Sequence, residues 1–295
     1  MLWETLLRVL IGGIANGAIY AAVAVGFSVI YRSGRVFNIA QGELLMIATF
    51  MCMALFGTGM NHWIAILLTA VAMGLLGLLI ERLMLRPLVG QSEMALFMAT
   101  LGLLLILNGL GTIVFGTEPQ LFPDVLGTER WRLGGVSIKE SNVLGTALVV
   151  VTVVALAWFF RSTRTGLFMT AVAESHQIAR SLGVSVTRSI GLSWAISGVV
   201  ATVAAVVFMS GRNVSPDIAT IAFVALPVVL LSGLETVGGV LLGGLIVGVG
   251  QAMAARWLDP YTEGGASLIF PFALMMVILI IKPQGLFGWK RVERI

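Results

Sequence analysis

Long apolar stretches recur along the chain at about 9–31, 36–56, 63–80, 94–115, 143–160, 189–209, 218–232, 237–255 and 266–281, separated by shorter polar connections. Most are long enough to cross a bilayer as a helix, which takes about 20 residues. They lack the strict alternation of a lipid-facing barrel strand. The pattern predicts an all-α polytopic fold of about nine transmembrane helices in a single domain, 1–295. Reading 36–56 as re-entrant leaves eight spans plus that segment. The first run follows Glu4 and Arg8 and is too long for the core of a signal peptide, so it is read as a retained span.

Composition narrows the class. With 58% apolar residues, 11% charged residues and a mean hydropathy of +1.02, the chain exceeds what a soluble core of its length needs. The one cysteine, Cys52, sits in an apolar run, forms no internal disulfide and is expected to pack. Two histidines and one cysteine make no metal or nucleophile cluster, and no GxxxxGK[ST] phosphate loop is present, so neither an enzyme nor an ATPase is expected.

Charge then orients the spans. Assigning alternate connections to one side puts Arg32, Arg35, Arg82, Arg86, Arg161, Arg164, Arg180, Arg188, Lys282, Lys290, Arg291 and Arg294 together, against Arg8, Arg130, Arg132, Lys139, Arg212 and Arg256. Basic residues are retained in the cytoplasm, so the richer side is cytoplasmic, the N-terminus outside and the C-terminus inside. The eight-span alternative places both termini in the cytoplasm and Arg32 and Arg35 outside. The net charge of +4 reflects this topology and is no sign of nucleic-acid binding. The longest outside connection, 116–141, mixes Pro, Gly and both charge signs; it reads either as an ordered loop that meets a soluble partner or as a plain connector.

Two short stretches repeat. "YRSGRVFNIAQGELLMIATF" follows the first span and "FMSGRNVSPDIATIAFVALP" the sixth; each carries Ser-Gly-Arg before a polar entry into an apolar run. In the nine-span topology they fall on opposite sides, as expected of an inverted repeat with halves 9–115 and 189–281. Repeats of this kind build midplane sites in transporters, which makes transport the leading function.

Asn38, Gln41 and Glu43 enter an apolar run. Ionisable or polar groups on lipid cost several kcal/mol, so all three are expected to face the bundle interior, with Gly42 admitting a close backbone. They line a path or hinge, or they satisfy broken-helix backbone groups; the architectural role suits Glu43 better. Gly239 with Gly243 and Gly244 with Gly248 form small-x-x-x-small pairs, for tight packing or for contact with a second subunit. Asn16 and Asn108 are expected to hydrogen-bond between helices, and His62 beside Trp63 to belong to an interfacial aromatic belt.

Several motifs, in order and nearly end to end, resemble the permease subunits of ABC importers for branched-chain amino acids and related amides and ureas. "VFNIAQGELLM" is similar to that family's Asn-Phe-Ala-His-Gly-Glu signature, "IERLMLRPL" to its Glu-Arg-x-x-x-Arg-Pro-Leu, "SGLETVGGVLLGGLIVG" to its Gly-rich late helix and "KPQGLFG" to its tail. The resemblance implies a multi-pass inner-membrane importer subunit. Its implied partners are a second homologous permease, two cytoplasmic ATPases, an extracytoplasmic binding protein and membrane lipid. It needs no cofactor of its own, since ATP is used by the partners. The resemblance implies a branched-chain amino acid or a related small polar solute. Gln41 stands where the family usually has His, and Val224 where many members carry Lys; these two departures point to something other than a simple zwitterionic aliphatic amino acid, such as an amide, urea-like or aromatic compound. A stand-alone channel or secondary transporter is the alternative, but coupling would need intramembrane charges and only Glu43 qualifies.

The segment 162–188 discriminates between these. Within it "TAVAESHQIARSLGVS" predicts one short helix, Ala171 to Leu182, stopped by Gly183. Ala171, Ser175, Ile178, Ala179 and Leu182 would share a face, with Glu174 and Arg180 off that stripe. The resemblance implies that this helix sits in the ATPase groove; lying on lipid is the other reading.

Overall fold

The computed structural model describes residues 2–133 and 136–288. The helices are α1 (Leu2–Gly34), α2 (Gln41–Phe56), α3 (His62–Ile80), α4 (Glu93–Phe115), α5 (Glu140–Ser162), α6 (Arg164–Glu174), α7 (His176–Ser181), α8 (Val186–Met209), α9 (Ile221–Ser232), α10 (Gly239–Trp257), α11 (Asp259–Thr262) and α12 (Gly265–Ile281). A π-helical turn over Glu81–Leu85 and a 3-10 turn over Arg86–Leu88 prolong α3, and a 3-10 turn over Pro216–Thr220 leads into α9.

Six helical segments are long and apolar enough to cross a membrane: Trp3–Gly34, His62–Leu88, Glu93–Phe115, Glu140–Ser162, Val186–Met209 and Gly239–Trp257. Three further apolar helices, Gln41–Phe56, Pro216–Ser232 and Gly265–Ile281, are shorter. At 1.5 Å per residue α1 runs about 50 Å and α2 about 24 Å. Burial is inverted relative to a water-soluble bundle: α2 and α8 are enclosed, whereas α4 and α12 expose Leu105, Ile113, Leu268 and Ile280. Such faces suit lipid.

Glycine sets the closest crossings. α1 lies on α10 where Gly13 and Gly17 meet Gly244 and Gly248; α3 lies on α8 where Gly77 meets the Trp194 backbone and Gly198 that of Met73. With no Cβ on the glycine the backbones touch, and a methyl at Gly17 or Gly198 would strike a carbonyl.

The two ends of the bundle differ. One gathers the last turn of α1, α6, α7, the α9–α10 connection and residues 282–288, with Arg32, Arg35 and Arg180. Lys290, Arg291 and Arg294 lie outside the described residues. The opposite end holds small strands where the sequence suggested a loop: β1 (Gln120–Leu121) pairs antiparallel with β4 (Asn213–Val214), and β2 (Arg130–Leu133) with β3 (Val136–Lys139). Phe122 donates its N–H to the Arg212 carbonyl (3.0 Å), and Ser210 Oγ donates to Asp124 (2.8 Å), so the 116–141 segment is tied to the end of α8.

Candidate functional site

The turn that feeds α2 is built by Asn38. Its carboxamide oxygen accepts from the Ala40 N–H (3.1 Å) and its nitrogen donates to Gln41 Oε1 (3.3 Å), at a helix start that has no side-chain cap of its own. Gln41 Oε1 also accepts from Ser197 Oγ of α8 at 2.9 Å, and Ser197 stands 3.4 Å from the Gly26 carbonyl of α1. Gly26 makes the room, since a Cβ there would run into the Gln41 side chain. Gly42 does the same for the Ala219 backbone ahead of α9. Glu43 lies apart from this knot: both its oxygens accept from Asn108 Nδ2 at 3.3 Å, which ties α2 to α4. Asn38, Gln41 and Glu43 are 0%, 1% and 5% exposed, so none faces lipid. The hydrogen bonds run between helices of the same chain, which makes the cluster a joint of α1, α2, α4 and α8. Val224 is half-buried in α9, with no polar atom to add. Asn16 departs from expectation: it is exposed on α1 and hydrogen-bonds to no described residue.

A second constellation closes the end of α1. Arg35 takes a left-handed backbone (φ 53°), unusual without glycine. From there its Nε donates to the Ala173 carbonyl of α6 (2.6 Å), while its guanidinium pairs with Glu235 at 3.3 Å and Glu174 at 3.6 Å. Arg32, one turn earlier, donates to the Glu235 carbonyl (2.8 Å) and Thr170 Oγ1 (3.3 Å) and lies over the Phe160 ring at 5.1 Å. Two cavities of about 300 and 270 Å³ border Arg35. Residues 282–288 complete the closure: the Leu286 and Phe287 N–H groups bond the Leu231 and Ser232 carbonyls (2.7 and 3.2 Å), and Gly233 packs on Gly285 and Gly288. Motifs far apart in sequence thus meet here, among them Ser33-Gly34-Arg35, the acid of "SGLETVGG", and "KPQGLFG". The sequence reading weighed "SGLETVGG" for its glycines and passed over Glu235; an acid inside a Gly-rich turn between two apolar runs was the available signal.

The segment 162–188 is two helices and not one. α6 ends at Glu174, Ser175 is extended (φ −158°, ψ 115°), and its hydroxyl caps α7 by accepting from the Ile178 N–H. The break undoes the expected common face. Ala179 is buried against the bundle, whereas Ala171, Ile178 and Leu182 are exposed, Ile178 at 64% and Leu182 at 74%. Gly183 (φ 79°) ends α7, and the Val184 N–H returns to the Ala179 carbonyl at 2.9 Å. Arg180 is exposed as well. Burial first, and the Arg180 charge second, lower the His176 pKa below its ordinary value, so the ring is biased toward its neutral form.

The glycine stripe of α10 is taken up within the chain. Gly244 and Gly248 meet α1, Gly243 meets Ser232 and Val228 of α9, and Gly239 meets Thr236 and Phe287. Among the described residues no group of three or more His, Cys, Asp and Glu could hold a metal.

Residues 9–279 match the family described as the branched-chain amino acid transport system permease component. Two curated relatives are 26% identical over nearly their whole lengths. They are the high-affinity branched-chain amino acid permease protein LivH of Salmonella typhimurium (98% of this chain, 97% of that protein) and BraD of Pseudomonas aeruginosa (98% of each). The fructose import permease protein FruF of Bifidobacterium longum is also 26% identical, over 92% of this chain and 76% of its own. With its apolar helices, its enclosed polar joint and a match over almost its full length, the chain belongs to the branched-chain amino acid ABC permease family, whose members are membrane subunits and not enzymes.

Proposed function

We propose that the chain is one of two permease subunits of a binding-protein-dependent ABC importer. In this reading it carries a branched-chain amino acid or a related small polar solute across the inner membrane on ATP hydrolysed by two partner subunits. The observation that carries the coupling is the pairing of α6 and α7. Both are too short to span; α6 is fastened to the end of α1 by Arg32 and Arg35, and Ile178 and Leu182 are left uncovered at α7. Exposed apolar side chains on a short helix outside the spans mark a docking surface for a soluble partner, here the ATPase.

Nine crossings are supported by where the helices begin and end. α2 starts at Gln41 against Gly26 of α1 and Ser197 of α8 and finishes with Phe56 on Phe122 at the strand-bearing end, so the non-helical run 35–40 and α2 together traverse the bundle from the Arg35 end. Pro216–Ser232 runs from β4 back to the Arg35 end. The inverted repeat is supported by exchange of partners: α1 packs on α10 as α8 packs on α3, and α9 meets α1 as α2 meets α8. The arginine-rich end is then cytoplasmic and the N-terminus outside. The solute is left to the binding protein, since a relative named for fructose import reaches the same 26% identity, over a smaller share of both chains, as those named for amino acids.

The test is reconstitution of the complex with its binding protein. Ile178→Glu with Leu182→Glu is expected to leave the permease in the membrane while abolishing solute-stimulated ATP hydrolysis and uptake. Ala179→Trp, directed at a buried position, should instead reduce folded protein. Wild-type uptake and hydrolysis in the double Glu variant would refute the coupling role.

A further inference from the structure

A cavity of about 430 Å³ opens at the arginine-rich end where α5, α6 and the start of α10 converge. Arg32, Arg161, Thr170 and the Gly238–Gly239 backbone form its polar wall, and Ala157 and Leu242 part of its apolar wall; among the described residues no acid lines it. Arg32 is set before any ligand arrives, its plane on Phe160 and two of its five N–H groups spent on Thr170 and the Glu235 carbonyl. Glu235 gives its carboxylate to Arg35 instead. Arg161, one residue before the end of α5, has no hydrogen bond or ion pair with any described residue. α10 starts without a side-chain cap, so its first N–H groups add partial positive charge to the same space. Positive groups gathered without an anion repel one another, and an anion between them relieves that repulsion.

Depth decides what kind of anion. Arg161 follows Trp158, which is 63% exposed on the same helix as exposed Val151 and Val154, and Leu242 and Ile246 are exposed along α10. A tryptophan at the margin of an apolar face marks the bilayer interface. The cavity is therefore polar at headgroup level and apolar on its membrane side, a shape that fits an amphiphile better than a free ion.

We propose that this cavity binds the headgroup phosphate of an anionic phospholipid. Arg32 and Arg161 grip the phosphate and the acyl chains run past Ala157 and Leu242, as basic pockets between membrane helices hold anionic lipid elsewhere. The inference rests on the membrane-spanning fold and does not depend on which solute is carried.

Native mass spectrometry of the full-length chain in detergent tests it, with phosphatidylglycerol, phosphatidylcholine or inorganic phosphate added. Wild type is expected to retain phosphatidylglycerol in preference to the other two. Arg161→Gln should weaken retention roughly fivefold and Arg32→Gln/Arg161→Gln about thirtyfold, at about one such factor per near-surface basic residue. Arg161→Lys should keep binding, as should Arg130→Gln at the opposite end. Because Arg32 also fastens the Glu235 turn, Arg161→Gln decides the matter if the double variant fails to fold. Undiminished phosphatidylglycerol retention by Arg161→Gln would overturn the proposal. Equal retention of inorganic phosphate would mean a free-anion site, and loss of the bound lipid on assembly with the partner subunits would mean a protein-covered surface; either outcome also overturns it.

Discussion

A carboxamide buried at membrane depth is tolerated only where its atoms find partners, and Gln41 finds Asn38 and Ser197 with Gly26 yielding the space. Gln41→Leu should therefore cost about 1–3 kcal/mol by stranding Ser197 and the Asn38 amide, and Gly26→Ala should cost at least as much by collision. Because both act through one contact, Gly26→Ala/Gln41→Ala should be less damaging than the sum of the single changes. Thermal unfolding in detergent micelles reads all three, and strict additivity would show that the contact is unimportant. The inward direction of Asn38, Gln41 and Glu43 was legible from the sequence, because burial cost alone dictates it. Their partners were not: periodicity tells which face of a helix turns inward but not which residue of a distant helix lies opposite. Asn16 marks the limit of the cost argument, being polar and yet exposed.

At the scale of elements, Arg35 is the tie between α1, α6 and the α9–α10 connection. Arg35→Ala removes one hydrogen bond and two ion pairs, which should free the α6–α7 pair and speed tryptic cleavage at Arg164 and Arg180 in the folded protein. Arg35→Lys, unable to form the fork, should recover only part of the protection. Of the acids, Glu235→Gln should loosen the segment more than Glu174→Gln, because Glu235 is nearer and its side chain is 29% exposed against 58%. Unchanged cleavage in Arg35→Ala would remove this role. Most helix positions in the spans followed from apolar runs, and Gly183 from its place after a helix-forming stretch. The break at Ser175 did not, because good helix formers lie on both sides; in the fold Ser175 caps α7 while Val172 and Ala179 turn into the bundle.

At the scale of the molecule, glycines bring α1 against α10 and α3 against α8, so a handful of missing methyl groups sets the closest contacts of the bundle. Single cysteines test the resulting topology, with Cys52 left in place because it is fully buried. In sealed right-side-out vesicles an impermeant maleimide should label Trp3→Cys and Glu118→Cys at once, and Gln177→Cys only after the membrane is opened. Protection of Trp3→Cys would restore the eight-span arrangement. The backbone bonds from Leu286 and Phe287 to the end of α9 carry a consequence for biosynthesis. The Leu231 and Ser232 carbonyls and the Glu235 turn cannot be fully secured until α10, α11 and α12 have left the ribosome, so the surface around the α9–α10 connection matures last. A nascent chain stalled before that point would carry a loose turn where Arg32 and Arg35 should be anchored, and the order of translation itself keeps half-made permeases from presenting a finished clasp.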